Sequence, residues 1–163
     1  MPIRTLFLAL LVFLPPLASA AQAPQAVHPP GASAAKSYIT GLEQFMSLIQ
    51  NEHAKLWYAG AARNWPLAAY QLSEIKEVMS DAQDLVPTFK DLPLADMLDA
   101  VISGEIARLE QAIDGKDAAT FDAGFDKLTA ACNACHKATG NNFIVIQRPA
   151  GPGFPNQDFA PQR

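Results

Sequence analysis

The chain has 163 residues, 50% hydrophobic and 17% charged, with a formal net charge of -4. That much apolar content can bury a core at the size of one domain, which excludes a disordered or collagen-like chain. The acidic balance leaves no basic footprint for nucleic acid.

Residues 1–20 have the layout of a secretory signal peptide: Arg4 as the charged start, an apolar run from Leu6 to Leu14, and Ala18-Ser19-Ala20 before the cleavage point. Cleavage after Ala20 removes 20 of 163 residues and leaves 143, and loss of Arg4 moves the formal charge from -4 to -5. The apolar run is too short for an ordinary spanning helix, and no later stretch reaches roughly 18 uninterrupted apolar residues. The expectation is an exported, periplasmic protein with no membrane insertion once the signal is gone. Residues 21–35, rich in Ala, Pro and Gln without an apolar period, read as a flexible lead-in, with His28 in solvent.

Residues 36–140 carry four amphipathic stretches. From Lys36 to Ala62 one stripe holds Ile39, Leu42, Met46, Ile49, His53, Leu56 and Gly60, while Glu43, Gln44, Glu52 and Lys55 fall off it. Asn64 before Trp65-Pro66 signals a helix start, because asparagine caps free amides and proline is harmless in a first turn. The second stripe runs through Trp65, Ala68, Leu72, Ile75, Met79, Ala82 and Val86, and Pro87 to Pro93 breaks it. A third helix, Leu94 to Asp114, presents Leu98, Ile102, Ile106, Leu109 and Ile113, with Gly115 as its C-cap. Asp117 caps the fourth, which runs to about Thr139 with Phe121, Phe125, Leu128, Cys132 and Cys135 on one stripe and stops at Gly140.

Four such helices with short joins and no strand pattern predict an all-α, antiparallel up-down-up-down four-helix bundle. Residues 141–163 form an extended, Pro-rich C-terminal tail: Phe143-Ile144-Val145-Ile146 is apolar and β-prone, and Pro149, Pro152, Pro155 and Pro161 forbid regular structure. The tail is expected to pack along the bundle surface.

The chemistry is concentrated in Cys132-Asn133-Ala134-Cys135-His136. Two thiols separated by two residues can add across the two vinyl groups of haem, and the histidine that follows can reach the iron from the same side. At average composition the string arises by chance in a chain this long on the order of once in a thousand. The competing readings are a disulfide, a thioredoxin-like redox pair or a zinc site. A thioredoxin motif sits between a strand and a helix, whereas this one comes near a helix end. Zinc would need a fourth ligand from His53, His28 or a carboxylate. Ala130, Ala131 and Ala134 leave room for a flat macrocycle beside the cysteines. One covalent haem c is the expected cofactor.

An exported four-helix chain with Cys132, Cys135 and His136 near the end of its last helix resembles the cytochrome c-prime and cytochrome c-556 group, over about Lys36 to Gly140. The resemblance implies His136 as proximal iron ligand, the other iron face turned toward the first helix, and pairing of two copies through the first two helices. It departs from the cytochromes c-prime at Gly140, where a basic residue is common, with Lys137 adjacent to the histidine instead. The tail, with Phe154-Pro155-Asn156-Gln157-Asp158-Phe159, is also foreign to that pattern.

On the first helix, Met46 and His53 are the candidate sixth ligands. In an up-down-up-down bundle the end of the fourth helix lies beside the start of the first, which favours Met46; His53 is seven residues further, roughly 10 Å at 1.5 Å per residue. A thioether opposite imidazole suits electron transfer, whereas an open position would suit small neutral gases. The leading expectation is a periplasmic monohaem carrier of single electrons, passed to an unidentified redox partner protein. The alternative is a five-coordinate haem module that binds or senses nitric oxide or carbon monoxide. A disulfide-linked interaction domain without haem is the third class. No Ser-His-Asp set, carboxylate pair or phosphate loop is legible, so an enzyme is not expected. Met79, Trp57, Tyr58 and Trp65 read as packing, with the two tryptophans closing the end of the bundle away from the cysteines.

Overall fold

The computed structural model describes residues 41–151 and 153–162. The expected signal peptide, the lead-in with His28, the first residues of the first helix with Ile39, and Pro152 lie outside the described residues. Within them the chain is all-helical and contains no strand.

Helix α1 (Leu42–Ala61) and helix α2 (Trp65–Leu85) are separated by three residues. Arg63 turns the chain with a left-handed φ of 59°. Asn64 then serves both helices: its amide donates back to Ala59 O at 2.9 Å, and its side-chain oxygen accepts from Leu67 N at 3.3 Å. That is the cap expected of an asparagine before Trp65-Pro66. After α2, Phe89 and Leu92 exchange two backbone hydrogen bonds of 3.0 Å across Lys90 and Asp91, both at positive φ. Two left-handed central residues define a tight primed turn.

The third expected helix is interrupted. It consists of α3 (Leu94–Val101), a π-helical segment (Ile102–Ile106) and α4 (Ala107–Asp114), continuous in one rod. The cause is in the spacing. At 3.6 residues per turn each four-residue step overshoots a full turn by about 40°, so the run Leu94, Leu98, Ile102, Ile106 would drift about 120° off the core face. The wider π turn absorbs that drift, and Leu94, Leu98, Ile106, Leu109 and Ile113 all stay buried. Gly115 caps α4 in right-handed backbone, φ -74°, and the left-handed residue is Lys116 at 53°. Asp117 accepts from the amides of Ala119 and Thr120 and so starts helix α5 (Ala118–Ala138). Gly140, at φ 75°, ends it.

The four rods bury the stripes read from the sequence: Leu56, Ala68, Leu72, Ile75, Phe121, Phe125 and Leu128 are inaccessible or nearly so. Gly60 lets α1 lie close against Phe121 of α5, since a Cβ on Gly60 would overlap the Phe121 ring. Further along the same pair, His53 meets Phe125 and Thr129. Trp65 packs edge-on against Phe121 at that end. Trp57 differs from expectation by lying against Phe125, one turn nearer the cysteines.

The described residues of the tail form neither helix nor strand and are tied to α1, α2 and α5. Asn133 holds Ile146, Arg148 reaches Asp126 and the Asp122 carbonyl, Tyr58 donates to the Gly151 carbonyl, and Asn64 donates to the carbonyls of Phe159 and Ala160. Among the described residues no helix is long and apolar enough to cross a membrane.

Candidate functional site

Cys132, Cys135 and His136 occupy successive turns of one face of α5, as an i, i+3, i+4 spacing requires. They line a cavity of about 440 Å³ together with Met46 and His53 from α1, so all five sequence-derived site residues meet at one place. Met79 of α2, Phe89 of the following turn, and Leu94, Leu98 and Val101 of α3 complete a largely apolar wall, and Ile144 and Ile146 of the tail border it. Met79 and Phe89 thus have a place in the site that periodicity alone did not assign. Its volume and apolar lining are those of a small-molecule or cofactor site. Of the alanines beside the cysteines, Ala130 and Ala134 face solvent and Ala131 is half-buried, and none of the three lines the cavity.

His136 is fixed by an unexpected partner. Its Nδ1 lies 2.9 Å from the Ile144 carbonyl oxygen, and a carbonyl only accepts, so Nδ1 is the protonated donor and, in the neutral ring, Nε2 keeps the lone pair. That is the tautomer a metal-binding histidine needs. The Ile144 carbonyl is invisible to side-chain reading, because any residue there would supply it.

His53 is arranged differently. It is 3% exposed, with its ring tilted 33° against that of Phe125 at 4.3 Å between centroids and Nε2 2.9 Å from Thr129 Oγ1. Thr129 spends its own proton on the Phe125 carbonyl at 2.8 Å, so His53 Nε2 is the donor in this pair. Burial pushes the His53 pKa down to about 4, and the ring is neutral at pH 7. Its Nε2 is therefore engaged, whereas the half-buried Met46 makes no competing polar bond because a thioether forms only weak ones.

The cysteines are both free thiols. Burial, and then the neighbouring Cys135, push the Cys132 thiol up to about 11, and burial raises Cys135 as well. Redox-active CxxC pairs work by lowering a thiol pKa to stabilise the thiolate, so this environment is opposite to the thioredoxin type. Among the described residues no group of three or more His, Cys, Asp or Glu is placed to hold a metal ion by itself.

The residues present fit haem. Two thiols and one imidazole with a free Nε2 share a face, and a thioether lies in the same apolar cavity. Lys90 adds a positive charge at this end of α5, donating to the Thr139 carbonyl at 3.0 Å and to Asn141 Oδ1 at 3.3 Å. A cation on the last carbonyls complements the helix dipole and ties the α2–α3 turn to the cavity rim. Compared with protein-family models, curated proteins and solved structures, the chain matches none.

Proposed function

We propose that this protein is an exported, periplasmic c-type cytochrome that carries single electrons between protein partners and is not itself an enzyme, built as an antiparallel up-down-up-down bundle of the cytochrome c-prime and c-556 type. The observation that carries the reading is the meeting of Cys132, Cys135, His136 and Met46 in one apolar cavity. The pairing of Gly60 with Phe121 and of His53 with Phe125 and Thr129 supports the antiparallel course of α1 and α5.

Haem c, when bound, supplies reversible one-electron chemistry at its iron. Cys132 and Cys135 would hold it through thioether bonds, each thiol proton and sulfur adding across one vinyl group. His136 would present Nε2 to the iron while the Ile144 carbonyl keeps its Nδ1 proton in place. Met46 would offer a thioether, a soft ligand that favours the reduced state. Leu94, Leu98, Val101 and Met79 would give the group an apolar wall, which would limit the reorganisation accompanying a change of charge. His53, donating to Thr129, would serve as a neutral wall of the cavity rather than as a ligand.

The test is an optical spectrum of the protein made in a host with haem-attachment machinery. A c-type reduced spectrum with a low-spin oxidised form and a weak far-red sulfur-to-iron band supports the carrier. A high-spin oxidised form that readily binds carbon monoxide once reduced would replace it with the gas-binding alternative, and a colourless protein would end both.

A further inference from the structure

The tail segment from Asn141 to Arg148 makes contacts whose pattern goes beyond surface packing. Asn133, a spacer residue between the two cysteines, donates through Nδ2 to the Ile146 carbonyl at 2.8 Å and accepts from the Ile146 amide through Oδ1 at 2.8 Å. One side-chain amide thus satisfies both polar groups of one tail residue. Two residues earlier on the tail, the Ile144 carbonyl accepts from His136 Nδ1, and His136 lies three residues after Asn133 on the same helix. Residues three apart on a helix share a face, so the tail meets two donors in register one turn apart.

The segment is held at both ends. Upstream, the Asn141 amide donates to the His136 carbonyl at 2.7 Å and the Ile144 amide to the Asn141 carbonyl at 2.9 Å. Downstream, the Arg148 guanidinium stacks over Trp57 at 4.0 Å and bonds Asp126 Oδ1 at 2.8 Å. With Ile144 44% exposed, side-chain burial does little to keep its carbonyl on the imidazole, and the hydrogen bonds must do so.

We propose that residues 141–148 form a strap that positions His136, with Asn133 as the positioning residue: by clamping Ile146 it keeps the Ile144 carbonyl on Nδ1 and leaves Nε2 as the ligand nitrogen. The inference rests on the haem reading for its purpose but not for its geometry. A hydrogen bond to the far nitrogen increases the basicity of a ligating imidazole, which favours the oxidised metal. The strap therefore lowers the reduction potential as well as orienting the ring.

The experiment uses the full mature chain, as isolated from a haem-attaching host and labelled with 15N-histidine, in three forms: wild type, Asn133→Ala and Arg148→Ala. With haem bound, the His136 Nδ1 proton should exchange with solvent about tenfold faster in Asn133→Ala, the effect of losing roughly one hydrogen bond's worth of restraint, and the potential should rise. Arg148→Ala removes the downstream anchor but leaves the clamp, so both readouts should move by less than in Asn133→Ala. Unchanged exchange and potential in Asn133→Ala overturn the strap, and so does an equal change in Arg148→Ala. If no haem is bound, the proposed function fails, and the strap is judged on the ring tautomer. Nδ1–H alone in wild type with a mixture in Asn133→Ala supports it; a mixture in both overturns it.

Discussion

Lowering the pH from 7 to 4 should destabilise this protein through one residue above all, His53. In the folded chain burial holds its pKa near 4, against an ordinary value of 6.5. Between those values the unfolded chain binds a proton at this position that the folded chain does not. Stability therefore falls as pH falls: nothing is lost above about pH 7, the loss grows through the window, and it is complete below pH 4. The gap between 6.5 and about 4, at about 1.4 kcal/mol per pH unit, amounts to about 3 kcal/mol. Exposure of 3% means that solvent screening takes little from this figure. The assay is urea unfolding at a series of pH values for wild type and His53→Leu. The variant forfeits the bond to Thr129, about 1 kcal/mol at every pH, but it has no proton to take up. Carboxylates contribute the same acid slope to both chains and cancel in the difference. Wild type should lose about 3 kcal/mol more than His53→Leu between pH 7 and pH 4, and parallel curves would refute the reasoning.

Other changes have equally definite outcomes. Gly60→Ala should cost about 1 to 3 kcal/mol by forcing a methyl group into the Phe121 ring, and adding Phe121→Leu should recover part of it; an unchanged urea midpoint would mean that α1 and α5 do not meet there. Asn64→Ala removes the cap of α2, about 1 kcal/mol, together with the donors to Phe159 and Ala160, so a lower Tm should come with faster proteolysis of the tail. Met46→Ala should abolish the far-red band and open the iron to carbon monoxide, while costing only about 2 kcal/mol because the side chain is half-buried. If His53→Ala has that spectral effect and Met46→Ala has none, the sixth ligand is His53.

The helices were readable because burial on one face writes a 3.6-residue period into the chain, and the residues of α2 from Ala68 to Ala82 follow it turn by turn. Asn64 and Asp117 were readable because capping depends on a side chain. The π segment was only half concealed: the four-residue steps from Leu94 to Ile106 contain the drift that it corrects, but the same residues also fit an unbroken helix. The cysteines and His136 were legible from their fixed spacing. Met46 and His53 were legible from the stripe of the first helix, and the remainder of the site was not, for four separate reasons. Phe89 lies in a turn with no period. The partner of His136 is a backbone carbonyl that carries no sequence signature. Asn133 is a spacer in the haem string, and its role depends on Ile146, thirteen residues later in a segment without regular structure. Thr129 was passed over because it looks like ordinary helix filler until His53 is seen beside it.

The central claim is that Cys132 and Cys135 carry haem covalently, and the mass of the denatured polypeptide tests it most directly. The protein is produced with haem-attachment machinery, unfolded in acid to strip any loosely held group, and weighed alongside Cys132→Ala and Cys135→Ala. The wild-type chain, starting at Ala21, should exceed its bare mass by one haem, and each alanine variant should lose that excess or be recovered with less attached haem. A wild-type mass equal to the bare chain, or lower by the two hydrogens of a Cys132–Cys135 disulfide, would contradict it.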